Sequence, residues 1–407
     1  MLESERLLIK KHTNTIYNKY RERTKKSRKA YERAKNFLPG GNSRTTIFWK
    51  PYPVYFQRGD GFTIYDLDGN EYLDFIGNYT SLIHGHTHPE IVEAIRAKVE
   101  SGTSVHLPTE DEVQLAEQLC ERFPSVDKIR FTNSGTEATI NAVRLARAYT
   151  GKDKILKAEG AYHGTHLPAE VSFNPDLSRI GPIDNPHSIP ELGTPTSIAN
   201  DVIIYPFNHR DVTERLIKKH RKELAAVIVE PVMRTIPPED DYLPFLREIT
   251  SENNIVLIFD EVICARISRG GAQEYYGVTP DLTALGKLFG GGLPFGAFGG
   301  KDDIMKFSDP SKKESIGHGG TFNANPLTMA AGIVATEMLT TEAINRINSL
   351  GELQRDGVNK VLDELGIIAQ ITGVGSLLTI HLTDEHVKDF RTSAKAKKSL
   401  NHPLYIS

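Results

Sequence analysis

Short apolar runs alternate with longer amphipathic stretches through the middle of the chain. The amphipathic stretches have helical spacing, as at 137–149 and 212–224. The apolar runs bounded by turn residues lie at 128–132, 154–158, 201–206, 225–231 and 255–262. Runs that are apolar on both sides are typical of parallel strands covered by helices on both faces. The pattern therefore predicts an α/β domain with a mainly parallel sheet over residues 60–310.

The two ends of the chain have a different pattern. Residues 14–36 have helical spacing and stop at Leu-Pro-Gly-Gly, and strand-like runs follow at 53–57 and 62–67. Gly- and Asn-containing turns near these runs predict a meander of hairpins. After residue 326 a helix leads to one clear strand at 375–382. We therefore expect three parts: an N-terminal helix and hairpin segment at 1–59, the large α/β domain at 60–310 and a smaller C-terminal domain at 311–407.

Charge and cysteine content exclude several broad classes. The net charge is −3, but residues 1–36 carry twelve Lys/Arg against four Glu, a local charge of +8. Such a run could be a nucleic-acid or membrane arm, but the interspersed Glu residues favour a solvated or subunit-wrapping helix. The two cysteines, Cys120 and Cys264, form no CxxC pattern, and no apolar run approaches the roughly 20 residues of a membrane helix. With no signal-peptide pattern, we predict a cytoplasmic protein without nucleic-acid or membrane partners.

Residues that follow the predicted strands are candidates for chemistry, because ligands of open α/β sheets bind at the carboxyl ends of strands. After the run at 128–132 comes Asn-Ser-Gly-Thr-Glu and then a helix. Such a turn presents free amides to an anion such as phosphate, with hydroxyls from Ser134 and Thr136, although both residue types are also ordinary N-caps. Asp260 ends another apolar run, where a buried carboxylate needs a cation: either a ligand's protonated nitrogen or an Arg or Lys of the chain.

A single lysine, Lys287, lies in a stretch of twenty residues with seven glycines, 281–300. A phosphate site, an acid that needs a buried cation and a lysine in open backbone together match pyridoxal 5′-phosphate. A dinucleotide loop is the rival interpretation, but GxGxxG should follow the first strand and hold no lysine. Tyr162 offers an aromatic face for a planar ring, and Thr321 lies in another Gly-rich turn.

Nine stretches resemble the class III aminotransferases, which are fold type I pyridoxal-phosphate enzymes, and more narrowly the branch with glutamate-1-semialdehyde aminomutase and β-amino-acid aminotransferases. The stretches are FLPGGNSR, DLDGNEYLDF, GHTHPEI, RFTNSGTEAT, GAYHG, IVEP, LIFDEV, TALGKLFGGGLPFGAFGG and GGTFNANPLTMAAG. They follow the family order from about residue 30 to 380. The resemblance implies a mainly parallel seven-stranded sheet in the large domain and a smaller α+β domain formed by N- and C-terminal segments.

The resemblance also implies roles for individual residues. Lys287 would be the Schiff-base lysine and proton shuttle, and Asp260 the acid that holds the pyridinium nitrogen. Arg44 would bind the substrate carboxylate. The remaining cofactor contacts would be Ser134, Gly135 and Thr136 at the phosphate, Tyr162 stacked on the ring with His163 beside it, Val262 beneath the ring, Glu230 in a supporting role, and Thr321 reaching the phosphate of the neighbouring subunit in a homodimer.

The activity implied by the resemblance is a ping-pong transfer of an amino group from an amino acid, such as a β- or ω-amino acid, to a keto acid. Arg44 in GGNSR and the GGTFNANP turn favour this transaminase. Two alternatives stay open: a glutamate-1-semialdehyde 2,1-aminomutase, which moves the amine within one molecule, and a non-catalytic pyridoxal-phosphate-binding homologue.

Other departures from the family pattern concern substrate and activity. The sequences around Arg234 and Arg266 differ from the usual motifs, and both arginines could bind a second carboxylate or form surface salt bridges. The chain ends soon after 395–398, so we expect a shortened or rebuilt C-terminal domain. Alternating histidines at 84–88 have a spacing that can ligate zinc, but Gly85 and Pro89 favour a turn that opens a helix, and we predict no metal.

Overall fold

The computed structural model describes residues 3–399, with side-chain surroundings for residues 11–396. Residues 400–407, the end of the predicted shortened domain, lie outside this part. The strands are β1 Phe56–Asp60, β2 Thr63–Asp66, β3 Glu71–Leu73, β4 Lys128–Thr132, β5 Lys154–Ala158, β6 Val202–Tyr205, β7 Leu224–Val229, β8 Val256–Asp260, β9 Leu282–Gly286, β10 Gly296–Gly300, β11 Gln370–Val374 and β12 Leu377–His381.

The helical segments connect and cover these strands. They are α1 Glu3–Arg23, α2 Lys25–Ala34, α3 Gly77–Thr80, α4 Pro89–Val99, α5 Glu110–Arg122, α6 Gly135–Thr150, α7 Leu167–Glu170, α8 Thr196–Ala199, α9 Arg210–His220, α10 Tyr242–Glu252, α11 Gly271–Tyr276, α12 Asp302–Met305, α13 Pro326–Met338, α14 Thr341–Glu364 and α15 Phe390–Ser399. No single described helix is long and apolar enough to cross a membrane; α13 and α14 pass that test only as a pair bent by 75°.

The chain divides into two compact units, residues 1–89 with 397–407 and residues 90–396. In the first unit, strands β1, β2 and β3 pair antiparallel, as the predicted meander requires. The predicted boundary after residue 59 falls inside β1, whose last residue, Asp60, pairs with Thr63 of β2. The predicted boundary after residue 310 lies within the second unit, and the three-part division stays a prediction.

The second unit contains a seven-stranded sheet in the order β4-β10-β9-β8-β7-β5-β6. Strands β5 to β9 pair parallel, and β10 runs antiparallel to both of its neighbours, β4 and β9. This confirms the fold type I architecture predicted from the motifs. All five strands predicted from apolar runs are present. Strands β9 and β10 were not recognised individually, because their sequences, LTALG and GAFGG, contain few large apolar residues although every position is buried.

Alternate residues of the central strands face two different apolar clusters. Val229 of β7 and Phe259 of β8 pack with residues of α9 and α10 on one face of the sheet. Ile228 and Ile258, the preceding residues, pack with residues of α6 on the other face. This two-sided burial explains why the strands have continuous apolar sequences.

The segment around the start of α15 packs against the large sheet. Phe390 belongs to the same apolar cluster as β7 and β8. A side chain added at Gly160, just after β5, would collide with the Phe390 ring. Arg391 donates two hydrogen bonds, of 2.7 and 3.0 Å, to the carboxylate of buried Glu159. The C-terminal segment is thus fixed to the backbone that leads to Tyr162.

Candidate active site

Most predicted site residues of the second unit lie at the carboxyl ends of strands that run in the same direction within the large sheet. The phosphate turn follows β4, Tyr162 and His163 come shortly after β5, Glu230 follows β7, Asp260 ends β8 and Lys287 follows β9. Because these strands belong to one sheet, their ends meet at one edge.

The turn after β4 leaves backbone amides available to an anion. Ser134 is the N-cap of α6, and its hydroxyl accepts a hydrogen bond of 3.2 Å from the Glu137 amide. Glu137 in turn accepts a hydrogen bond of 2.6 Å from the Asn133 amide. Within the described residues, the amides of Gly135 and Thr136 have no acceptor. The two interpretations of this turn are therefore compatible, because Ser134 caps the helix and two free amides remain at its positive end.

Val262 packs between this turn and the residue before Lys287. A Cβ added to Gly135 would lie 2.8 Å from Val262 Cγ2, and one added to Gly286 would lie 3.0 Å from Val262 Cγ1. Position 135 therefore requires glycine, because any side chain there would collide with Val262. Val262 thus lies between the turn after β4 and the residue before Lys287, and its role beneath a ring stays a prediction.

Asp260 and His163 form a buried pair at the centre of the site. His163 Nδ1 lies 2.8 Å from Asp260 Oδ2, and the two side chains are 1% and 5% exposed. Asp260 Oδ1 also accepts a hydrogen bond of 3.1 Å from the Val262 amide. The partner of Asp260 within the chain is therefore a histidine, and not the Arg or Lys considered from the sequence. His163 Nε2 is buried and has no hydrogen-bond partner among the described residues.

Glu230 connects β7 to the aromatic residue of the site. Its Oε2 accepts a hydrogen bond of 3.0 Å from the Tyr162 amide. Burial raises the pKa of Glu230, and the negative charge of Asp260 adds to this effect, while His163 opposes it. The Tyr162 ring packs against Phe173 with ring centres 5.3 Å apart. Glu230 therefore fixes the backbone from which the Tyr162 ring projects.

Lys287 is held in an unusual backbone conformation directly after β9. Its φ is 53°, a value that costs a non-glycine residue about 1–3 kcal/mol. Burial lowers the pKa of Lys287, and the negative charges of Asp260 and Glu230 oppose this effect. A lowered pKa makes the neutral, nucleophilic amine available nearer to neutral pH.

A second strained turn follows Glu230. Arg234 and Thr235 have φ values of 48° and 72°, and the Ile236 amide donates a hydrogen bond of 2.8 Å to the Met233 carbonyl. Positive φ at both central residues is the pattern of a type I′ turn, which normally has Asn-Gly at these positions. Thr235 Oγ1 donates a hydrogen bond of 2.7 Å to Thr379 Oγ1, which helps to hold the turn.

Neither arginine considered from the sequence forms a salt bridge within the described residues. The Arg234 guanidinium lies over the Phe173 ring, 4.6 Å from its centre, and Nη2 donates a long hydrogen bond of 3.4 Å to the Phe173 carbonyl. Burial lowers the pKa of Arg266 to about 10, and its Nε is buried without a partner in the described structure. The surface salt-bridge interpretation is therefore wrong for both residues.

The other predicted residues lie elsewhere. Arg44 belongs to the first unit, where its Nη1 donates a hydrogen bond of 2.9 Å to Asn78 Oδ1, and its role stays a prediction. Thr321 is exposed on a loop that is tied to the phosphate turn, because Asn133 Nδ2 donates a hydrogen bond of 2.8 Å to Asn323 Oδ1. Its role in a neighbouring subunit is equally a prediction. His86 pairs with Asp74, and residues 11–396, whose side chains are described, contain no group of three His, Cys, Asp or Glu placed to hold a metal.

Sequence reasoning missed two residues that support the site. Lys157 is completely buried within β5, and its Nζ donates a hydrogen bond of 2.8 Å to the Val171 carbonyl. Burial lowers the pKa of Lys157 to about 7. The lysine within the apolar run KILKA was the available signal. Phe173, two residues after Val171, contacts both Tyr162 and Arg234, and no motif indicated it.

Comparisons with known proteins agree with this geometry. The family model of class-III aminotransferases matches residues 49–402. The glutamate-1-semialdehyde 2,1-aminomutase of Methanosphaera stadtmanae is 43% identical over 372 residues, which cover 90% of this chain and 86% of that protein.

Two solved transaminase structures are similar as well. An omega-transaminase from Sphaerobacter thermophilus has 49% identity and a TM-score of 0.88, covering 90% of this chain and 85% of that one. A β-phenylalanine aminotransferase from Variovorax paradoxus has 34% identity and a TM-score of 0.85, covering 95% and 86%. The chain therefore belongs to the class III aminotransferase family.

Proposed function

We propose that the protein uses pyridoxal 5′-phosphate to move the amino group of a small amino acid. The observation that carries this proposal is the position of Lys287 directly after β9, at the edge of the sheet. The negative charges of Asp260 and Glu230 act on its amine there. When bound, the cofactor supplies an aldehyde that bonds amines and a ring that accepts electrons.

The residues present fit this cofactor. The free amides at the start of α6 would hold its phosphate, and Asp260, already fixed by His163, would hold its ring nitrogen in the protonated form. Tyr162 and Val262 would contact the two faces of the ring. The close packing of Gly135 against Val262 leaves no space for a side chain at the turn, so the backbone itself would hold the phosphate.

The chain's own residues then perform the proton transfer. Lys287 Nζ takes the proton from the substrate carbon that bears the amine and returns it later to another carbon. Asp260 is held in position because His163 Nδ1 and the Val262 amide both bond to its carboxylate. Glu230 keeps the Tyr162 backbone in place during this exchange.

Transfer within one substrate molecule and transfer between two molecules use the same residues. Eight curated relatives with 39–43% identity are named glutamate-1-semialdehyde 2,1-aminomutase, which favours the aminomutase over the transaminase predicted from the motifs. The omega-transaminase with 49% identity supports transamination as the second candidate.

Two reactions with cofactor-loaded protein distinguish the candidates. In the first, glutamate-1-semialdehyde is supplied without a keto acid, and the isomer with the amine on the adjacent carbon is quantified. In the second, amino donors that include a β-amino acid are supplied with and without a keto acid, and the cofactor absorbance is followed. Isomerisation without a keto acid supports the aminomutase, and transfer that requires an acceptor supports the transaminase. A cofactor band that no donor changes would contradict both and identify a non-catalytic binder.

We also infer a homodimer in which Thr321 contacts the cofactor of the neighbouring subunit. The exposure of Thr321 on a loop anchored to Asn133 supports this arrangement. Light scattering of the holoenzyme should give twice the 45.3 kDa chain mass, and Thr321→Ala should weaken cofactor binding. A monomer that retains full cofactor affinity would contradict the inference. A cytoplasmic location, without nucleic-acid or membrane partners, stays a prediction.

A further inference from the structure

A guanidinium without a carboxylate partner lies beside the candidate active site. Arg234 stacks on Phe173, and Phe173 packs against Tyr162. The charge of Arg234 interacts with the Glu230 carboxylate and the Tyr162 hydroxyl. Yet one Glu230 oxygen already accepts a hydrogen bond from the Tyr162 amide, and no described carboxylate lies within 4 Å of the guanidinium.

The backbone holds Arg234 in this place at a conformational cost. Arg234 and Thr235 both have positive φ, which is rare for residues with large or β-branched side chains. The bridge between Met233 and Ile236 and the hydrogen bond from Thr235 to Thr379 maintain the turn. Strain of this kind is concentrated at functional sites, where the surrounding structure holds it in place.

Arg266 is a buried arginine for comparison, because its side chain forms no hydrogen bond or salt bridge with the candidate site in the described structure. Its Nε is also buried without a partner in the described structure. However, burial is the cause of its lowered pKa, whereas Glu230 and Tyr162 also act on the pKa of Arg234. Its neighbours in sequence, Cys264 and Ile267, belong to an apolar cluster. Of the two arginines, only Arg234 interacts with residues of the candidate site.

We propose that Arg234 is a specificity residue, whose guanidinium binds the substrate carboxylate that lies farthest from the reacting carbon. The inference rests on the proposed function, because it names the substrate class of the same site. The planar fork of arginine matches a carboxylate with two parallel hydrogen bonds. The protein then selects substrates with an acidic end. Both candidate reactions include such molecules, since glutamate-1-semialdehyde and acidic amino acids carry a carboxylate at that position.

Two ligands that differ only in charge test this assignment. Calorimetry measures the binding of 4-oxopentanoate and its neutral analogue 4-oxopentanamide to the cofactor-loaded protein. We expect the acid to bind about 10- to 100-fold more tightly, as for a hydrogen bond to a charged group. Arg234→Asn should abolish this preference while keeping the turn, because asparagine tolerates positive φ. Arg234→Lys should retain part of it, and Arg266→Gln, the matched control, should retain all of it.

Each other outcome overturns the assignment. It is wrong if the wild-type protein binds both ligands equally or neither, or if Arg234→Asn keeps the preference. If only Arg44→Gln loses the preference for the acid, Arg44 and not Arg234 binds the carboxylate of the ligand. If Arg234 has only a structural role, Arg234→Asn should weaken the binding of both ligands equally and should have a lower thermal stability. Calorimetry needs no turnover, so an enzyme that fails the donor reactions contradicts the proposed function while this measurement still decides the role of Arg234.

Discussion

Two lysines, Lys157 within the large sheet and Lys287 at its edge, both have a pKa lowered by burial but differ in position. Lys157 lies inside β5, is completely buried, and donates a hydrogen bond to the Val171 carbonyl. Lys287 lies directly after β9, is only partly buried, and has a positive φ. Burial lowers the pKa of both amines.

The difference shows that a lowered pKa does not by itself identify a catalytic lysine. Lys157 is enclosed within the sheet, and its amine already has an acceptor there. Lys287 is at the carboxyl edge, where ligands of this fold bind, and it is close to the charges of Asp260 and Glu230. Nearby acids do not separate the two lysines, because Glu230 acts on both amines. Position relative to the strand end therefore distinguishes the reactive lysine from the structural one.

The largest effect that separates the two lysines should follow from Lys287→Ala. Loss of the proton-transferring amine should lower the turnover rate by roughly 10²–10⁴-fold or more. Borohydride reduction of the cofactor-loaded wild-type protein, followed by peptide mapping, should label Lys287. Lys157→Met is the control and should keep that label. A label on Lys157, or no label on either lysine, would contradict the conclusion that Lys287 is the reactive lysine.

The acid that acts on Lys287 gives the next effect. Asp260→Asn should lower turnover by roughly 10²–10³-fold, because a preorganised charge is lost from the site. It should also lower the pKa of Lys287 further, since Asp260 raises it, and so shift the acidic side of the pH–rate profile, where the amine loses its proton, to lower pH. Asp281→Asn is the control, because Asp281 precedes β9 and pairs with Arg247 and Lys301. An equal loss of turnover in both variants would show that only stability was affected.

A smaller effect concerns the packing around Lys287. Gly135→Ala would place a methyl group against Val262, which should cost about 1–3 kcal/mol of cofactor binding. Adding Val262→Ala should restore part of the affinity. Gly357→Ala is the control, because Gly357 lies within α14 with open space around it, and it should leave cofactor binding unchanged. Fluorescence titration with the cofactor provides the affinities, and unchanged binding in Gly135→Ala would disprove the close contact.

The smallest expected effect is the pH dependence that Lys157 gives to stability. Its native pKa of about 7 lies below the ordinary value of 10.5. The unfolded chain therefore binds more protons between these pH values, and the free energy of unfolding should rise with pH in that interval. Lys157→Met should reduce this slope in urea denaturation at pH 7 and 9. An identical slope in wild type and variant would show that Lys157 stays protonated in the folded protein.

Much of the fold could be predicted because its chemistry follows ordinary patterns. Strands β4 to β8 have apolar sequences since both faces are buried, and the site motifs stand at their ends. Strands β9 and β10 could not be predicted in this way, because their backbones approach their neighbours closely and large apolar side chains are not needed to fill the space. A Cβ at Gly296, for example, would collide with the Ser134 carbonyl. Glycine-rich sequences normally indicate loops, so periodicity could not reveal these strands.

The turn at Arg234 and Thr235 could not be predicted for a different reason. A type I′ turn is recognised in sequence by Asn-Gly or a similar pair, and here tertiary contacts hold two unfavourable residues in its place. The partner of Asp260 was also missed, although His163 was already assigned to the site. Which of several candidate cations reaches a buried carboxylate depends on how loops after different strands pack together, and local sequence does not contain that information.

The contact between Phe390 and Gly160 has a consequence for engineering this chain. Gly160 stands two residues before Tyr162, so the ring of Phe390 supports the peptide that aims the aromatic face of the site. Removal of either Phe390 or Arg391, which donates two hydrogen bonds to Glu159, should therefore disturb the site. Randomised libraries should leave both residues untouched.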